Sequence, residues 1–346
     1  MAIFDRYHRQ RLVDGIGDDG QLAIANATVA IVGVGALGCA SASMLVRAGV
    51  GRIILIDRDI VETTNLQRQI LFTEEDATNQ EPKAIAAAAR LAKINSTIQI
   101  TAHVEDLTSR NIKHLLEGVD VIVDGLDNFT TRYLLNDFAV QQNKPFMFAG
   151  VIASQGNVMT VLPESTPCLR CLFPEPPPAS SQDTCDTAGV LAPAIGIASS
   201  CQCMDVIKYI TGNKHKISRT LLTFDLWNSI SSRLETGNPV DNCICCQQRS
   251  FAFLETQTVE PVALCGRLAV SLPAIEPFDL QSTSAKLQEH GTFTCTDTMI
   301  KGEFNEERAI DGSAIRLLCF HNGRAIIHGT DDIRRAKAIF ERYVGN

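Results

Sequence analysis

Three glycines spaced Gly33-x-Gly35-x-x-Gly38 sit between the apolar run TVAIVG (28–33) and a helix-compatible stretch ending near Arg47. No other feature constrains the chain as strongly. In a strand–turn–helix setting, glycine lets the backbone approach phosphate oxygens, and the helix N-terminus offers unpaired N–H donors to an anion. Residues 51–57 (GRIILID) read as a second buried strand. Asp57 at its end, nineteen positions after Gly38, is placed to accept hydrogen bonds from ribose hydroxyls. On the loop alone, NAD or FAD is as plausible as ATP.

The pattern around the loop extends this reading. Residues 18–25 fit a short amphipathic helix, and Pro82 starts an alanine-rich helix with proline near its first turn. Residues 98–104 and 119–124 read as strands and 130–142 as a helix. Continuous apolar strands alternating with helices predict an α/β fold: a Rossmann-like doubly wound, mostly parallel sheet with helices on both faces. Beyond residue 150 the pattern is less regular. A proline- and serine-rich loop is expected at 174–183, a helix at about 193–211 and a strand at TLLTFDLW (220–227).

A cationic cluster favours a triphosphate over a dinucleotide. Asn65, Arg68 and Gln69 lie in NLQRQ, and Lys83 opens the alanine-rich helix. Substitution at phosphorus spreads negative charge over several oxygens, which a planar arginine fork and a compact lysine charge both neutralise. Asp127, in DGLDN after an apolar strand, stands at a strand's C-terminal end, where open parallel sheets bind ligands and where a carboxylate holds Mg2+.

Two cysteine pairs, Cys168-x-x-Cys171 and Cys243-x-x-Cys246, have the spacing of a closed tetrahedral Zn2+ site, a structural staple. Cys245 inside CICC is then a spare thiol, and Cys201 and Cys203, two apart on a predicted helix, read as packing residues. Twelve cysteines without an apolar leader core among the first residues point to reduced thiols in the cytoplasm. A formal net charge of −8 gives no electrostatic footprint for nucleic acid, and no apolar run is long enough for a membrane partner.

RYHRQ (6–10), GVGALG (33–38), the strand end at Asp57, NLQRQ, PK at 82–83, LDN at 126–128, CLRC, TCDTAGV around Cys185 and the late CICC occur in one order. In this the chain resembles the ThiF/MoeB/HesA family, ubiquitin-activating-like adenylyltransferases of sulfur-carrier proteins. The resemblance implies a homodimer that adenylates the C-terminal glycine of a ubiquitin-fold carrier ending in Gly-Gly, for thiamine thiazole or molybdopterin synthesis. It implies that Arg9 enters the partner subunit's ATP site and that Asp57 holds ribose. It further implies that Asn65, Arg68 and Lys83 meet phosphates, that Asp127 serves the metal, and that Cys185 links to the carrier through sulfur. A cysteine desulfurase or another sulfur donor is the second partner expected.

The expected organisation is an adenylyltransferase domain over 1–250, with an ATP-binding half to about 150 and a carrier-binding, zinc-stapled half over 151–250. A connector at 251–260 and a small α+β extension over 261–346 complete it. Rival readings are the tRNA-modifying dehydratase branch of the same superfamily, which the paired cysteines disfavour, and an NAD- or FAD-dependent oxidoreductase. The oxidoreductase leaves Arg68 and Lys83 unexplained. An inactive pseudo-enzyme partner is disfavoured by the intact phosphate set.

Overall fold

The computed structural model describes residues 5–176, 185–255, 261–263, 268–273 and 277–345. Two compact units, Met1–Gln257 and Thr258–Asn346, divide the chain.

The first unit is built on an eight-stranded sheet in the order β3-β2-β1-β4-β5-β6-β7-β8. Its strands are β1 Thr28–Val32, β2 Arg52–Ile56, β3 Gln99–His103, β4 Val121–Asp124, β5 Phe146–Ile152, β6 Gln155–Val161, β7 Thr220–Asp225 and β8 Ile230–Glu235. The strands from β3 to β5 pair in parallel, and β5 to β8 pair antiparallel. Alternation along β1 explains the two-sided cover. Ala30 and Val32 pack with Tyr133, Leu134 and Phe138 of helix Phe129–Gln141. Val29 and Ile31 pack on the opposite face with Leu45, Ala87 and Cys203, from helices Ala36–Ala48, Lys83–Ile94 and Ala192–Ile210. With both faces covered, the central strands read as unbroken apolar runs.

The chain leaves β1 for β2 on one side, and β4 lies on the other, so the strand order reverses beside β1. Open α/β sheets hold ligands at the C-terminal ends of the strands at such a reversal. Pro82 stands at the N-cap of helix Lys83–Ile94, next to its first turn.

The second unit holds the strands β9 Val262–Ala263, β10 Ala269–Leu272, β11 Gly291–Cys295, β12 Met299–Arg308, β13 Ala314–Phe320 and β14 Ala325–His328. They form an antiparallel sheet in the order β11-β12-β13-β14-β10-β9, with helices Leu280–Leu287 and Ile333–Tyr343. Asp279 and Asp332 cap these helices by accepting backbone N–H bonds. Its own core includes Leu287, Phe304, Ile315, Leu317 and Ile327. Among the described residues, no helix is long and apolar enough to cross a membrane.

Candidate functional site

A cavity of about 700 Å³ opens at the strand reversal. Gly33, Gly35, Asp57, Arg68, Gln69, Lys83 and Asp127 all line it, although they come from five separate segments.

The glycine turn is built by close backbone approach. Gly33 has φ +87°, and a Cβ there would lie 2.6 Å from the Gly125 carbonyl oxygen. A Cβ at Gly38 or at Gly125 would collide with the Gly33 carbonyl oxygen. Gly38 therefore works from beneath: it does not line the cavity but lets the helix start against the turn. Gly35 is the open position, with no atom nearer than 3.8 Å to its notional Cβ, and it leaves the helix N-terminus accessible.

Asp57 follows β2 and is buried. Its Oδ2 accepts the Val34 N–H at 2.6 Å and its Oδ1 accepts the Asp59 N–H at 2.7 Å, so the carboxylate braces the glycine turn. Burial pushes its carboxyl above the ordinary range; Lys83 opposes that shift and Asp59 adds to it. Lys83, also buried, pairs with Asp59 at 3.2 Å. Arg58 pairs with Asp106 at 2.9 Å, and its Nε lies 3.8 Å from Asp59. Burial works against the Arg58 charge, but Asp106 and Asp59 outweigh it and raise the guanidinium's already high pKa. Gln69 is buried against the cavity, and its Oε1 has no hydrogen-bond partner among the described residues. A buried acceptor left without a partner costs about 1–3 kcal/mol, so it points to a donor supplied by a ligand.

The turn after β4 rests on a buried ion pair. Asp124 is fully buried, and its Oδ2 takes Arg132 Nε at 2.9 Å while its Oδ1 takes the Leu126 N–H at 2.9 Å. Arg132 also donates to the Leu126 and Ala149 carbonyls and packs 5.4 Å from the Phe129 and Phe148 ring centroids. Burial raises the Asp124 carboxyl, with Arg132 as the main opposing influence. This scaffold fixes the loop that presents Asp127, which is exposed at the cavity.

Asn65 and Arg9 do not line this cavity, and the Cys185 side chain lies outside the described residues. Asn65 is buried, and its Oδ1 accepts the Glu62 N–H to close a turn, so it supports the Arg68 segment instead of lining the cavity. Arg9 is exposed on the short helix His8–Arg11 and does not line this chain's cavity. Tyr7 and Gln10 anchor that helix: the Tyr7 hydroxyl accepts from Asn95 at 2.8 Å, and Gln10 Nε2 donates to the Ala48 carbonyl at 2.8 Å. Cys185 opens the short helix Cys185–Ala188, and its side chain lies outside the described residues. Most of the 174–183 loop lies outside them too.

Cys168, Cys171, Cys243 and Cys246 converge, with all four sulfurs within 4.8 Å of one another. Neighbouring pairs are 3.9, 3.6 and 3.4 Å apart. Tetrahedral zinc with Zn–S bonds of about 2.3 Å requires sulfurs roughly 3.8 Å apart, so the donor set fits a metal of that size. Cys245 stays outside the cluster, fully buried, and accepts a hydrogen bond from Asn136 Nδ2 at 3.4 Å. Cys203 is a packing residue whose thiol burial pushes up to about 12. Cys171 leads directly into Leu172, Phe173, Pro174 and Glu175, which form one wall of the cavity.

Sequence reasoning missed Arg58, Asp59, Asp106 and Arg132. The first two adjoin Asp57, and their charge was a usable signal. The pairing partners Asp106 and Arg132 become visible only once strands β2, β3 and β4 are side by side.

A doubly wound sheet with an anion-binding glycine turn, buried cations at the strand reversal and a four-cysteine cluster defines a nucleotide-phosphate-binding α/β protein with a metal-type staple. The chain belongs to the ThiF family, whose profile matches residues 7–245. It is 40% identical over 345 residues to a Bacillus subtilis protein named sulfur carrier protein ThiS adenylyltransferase, covering 98% of this chain and 99% of that one. A Thermus thermophilus protein named sulfur carrier protein adenylyltransferase is 37% identical over 268 residues, 76% of this chain and 96% of its own length. An Anopheles gambiae protein named adenylyltransferase and sulfurtransferase MOCS3 is 38% identical over 276 residues, 79% of this chain but 62% of that longer protein. The fold is also that of Escherichia coli MccB solved with ATP, at a TM-score of 0.60 and 24% identity, over 70% of this chain and 74% of that one.

Proposed function

We propose that this protein uses ATP to adenylate the C-terminal glycine of a ubiquitin-fold sulfur-carrier protein, releasing pyrophosphate. The observation that carries the reading is the convergence of the Gly33 turn, Arg68, Lys83 and Asp127 on one cavity at the strand reversal. Full-length similarity to a protein named for ThiS favours a ThiS-type carrier over a MoaD-type one.

In this mechanism a carrier carboxylate oxygen attacks the α-phosphorus, the bond to the bridging oxygen breaks, and pyrophosphate departs. Both reactants are anionic, so positioning and charge neutralisation dominate. The Gly35 helix terminus and Lys83 receive phosphate oxygens, and Arg68 forks onto the outer phosphates. Asp57 keeps the turn in shape while accepting from ribose. Asp127 would hold Mg2+, which supplies further charge neutralisation when bound. Cys168, Cys171, Cys243 and Cys246 would hold Zn2+ in a structural role, which would tie the Leu172–Glu175 wall to the later pair.

Residues 1–150 form the nucleotide half in this reading and 151–250 the carrier and zinc half, followed by the 251–260 connector and the 261–346 extension. Arg9, held outward by Tyr7 and Gln10, completes the phosphate site of a second copy in a homodimer. Cys185 is the thiol for a covalent link to the carrier after adenylation, with sulfur from a desulfurase or similar donor. Reduced thiols and an ATP supply both suit the cytoplasm.

The test is carrier-dependent exchange of pyrophosphate into ATP. Exchange with a ThiS-type carrier ending in Gly-Gly is expected, together with its loss in Asp127→Ala at an unchanged melting temperature. No exchange with ThiS- or MoaD-type carriers, under conditions where a related enzyme works, would overturn the proposal.

A further inference from the structure

Beyond the phosphates, one end of the cavity is lined by a set of side chains that phosphate chemistry does not use. Asp57 directly follows β2, and the next strand outward is β3. In a doubly wound sheet a ribose held at the end of β2 directs its base across the adjoining strand end. There the cavity is walled by Arg58, Asp106 and Leu107, with Leu126 entering from the β4 turn. Arg58 is held from two directions, by Asp106 at 2.9 Å and by Asp59 at 3.8 Å. Its plane is therefore fixed before any ligand arrives. A guanidinium fixed in this way is a stacking surface for a purine. Leu107 is buried, and Leu126 is partly buried against the same apolar cluster, so both are apolar partners for the base.

Asp106 supplies what a flat apolar slot lacks, a means of telling purines apart. One of its oxygens takes the Arg58 bond, which leaves the other as an acceptor. An ionised carboxylate only accepts hydrogen bonds, so it suits the exocyclic amine of adenine and opposes the keto oxygen of hypoxanthine or guanine. The neighbouring Glu105 is engaged otherwise, accepting from Asn111 at 3.2 Å with His103 at 3.8 Å.

We infer that Arg58 and Asp106 are the base-reading pair of the cavity: Arg58 stacks on the purine, and Asp106 selects a 6-amino over a 6-keto edge. This deepens the adenylation reading and rests on it.

The two roles predict different kinetic changes. Arg58→Met removes the stacking plane while keeping the Asp106 carboxylate in the chain, so KM should rise roughly tenfold for ATP and ITP alike. Asp106→Asn presents a donor as well as an acceptor, so the ratio of kcat/KM for ATP to that for ITP should fall about tenfold or more. Because the ratio is taken within each protein, partial unfolding of a variant does not move it.

Pyrophosphate exchange with ATP and ITP, on wild type and both variants, reads this, alongside direct titration of each nucleotide without carrier. An Asp106→Asn ratio within about threefold of wild type, or unchanged KM values in Arg58→Met, would overturn the base-reading role while leaving adenylation intact. Binding that discriminates as described, with no exchange, would sustain the pair and sink the adenylation reading. Failure of the wild type to bind either nucleotide would sink both.

Discussion

Replacing Arg132 by methionine isolates the interaction on which the β4 turn depends. Methionine approximates the side chain's length and fills much of the space between Phe129 and Phe148, so the packing defect is small. What is lost is the cation on a carboxylate that is fully buried, along with donation to the Leu126 and Ala149 carbonyls. Removing one partner of a buried pair typically costs about 3–5 kcal/mol, because the remaining charge has neither water nor counterion. For a unit of this size that corresponds to a melting temperature lower by about 6–20 °C.

The pH dependence has a definite sign. Asp124 already has a raised carboxyl pKa in the folded chain, and loss of Arg132, its main opposing influence, raises it further. Between the unfolded pKa and that raised value the native state binds more protons than the unfolded chain, so stability falls as pH rises. The Arg132→Met penalty should therefore be larger at pH 8 than at pH 5. Asp124→Asn/Arg132→Met keeps an acceptor for the Leu126 N–H, removes the stranded charge and should recover part of the loss. Urea titrations of the wild type and both variants at the two pH values supply the assay. A penalty below about 1 kcal/mol, independent of pH and not relieved in the double variant, would refute the reasoning.

Other expectations follow from single contacts. Gly125→Ala forces a methyl against the Gly33 carbonyl and should cost about 1–3 kcal/mol in chemical denaturation. Gly35→Ala meets nothing nearer than 3.8 Å and should keep stability while weakening ATP binding in calorimetry. Cys243→Ser should abolish bound metal, measured by elemental analysis, and lower stability by several kcal/mol on the order seen for structural zinc sites. Cys245→Ser should leave metal content unchanged, since that sulfur lies outside the cluster.

The parallel half of the sheet was legible because both faces of β1, β2 and β4 are covered, which writes each strand as an apolar run. In the antiparallel half β7 was read, as TLLTFDLW, but its neighbour β8 was not. Every residue of β8, ISSRLE, is exposed, so no hydrophobic pattern marks it. Spacing was enough to select Cys243 and Cys246 over Cys245, because one residue between ligands cannot span what two residues do. Asn65 shows the limit of motif reading: it belongs to the phosphate segment in sequence, yet its carboxamide closes a turn. The Asp124–Arg132 and Arg58–Asp106 pairs depend on three-dimensional neighbours, and nothing in local composition announces them.

The mutual contact of Gly33, Gly38 and Gly125 leaves the anion cradle no slack. Backbone packed to that closeness has nowhere to relax, so the cradle waits for its ligand already assembled, and little ordering entropy is spent on capture. Any closure that accompanies turnover must then be carried by segments across the cavity from these glycines.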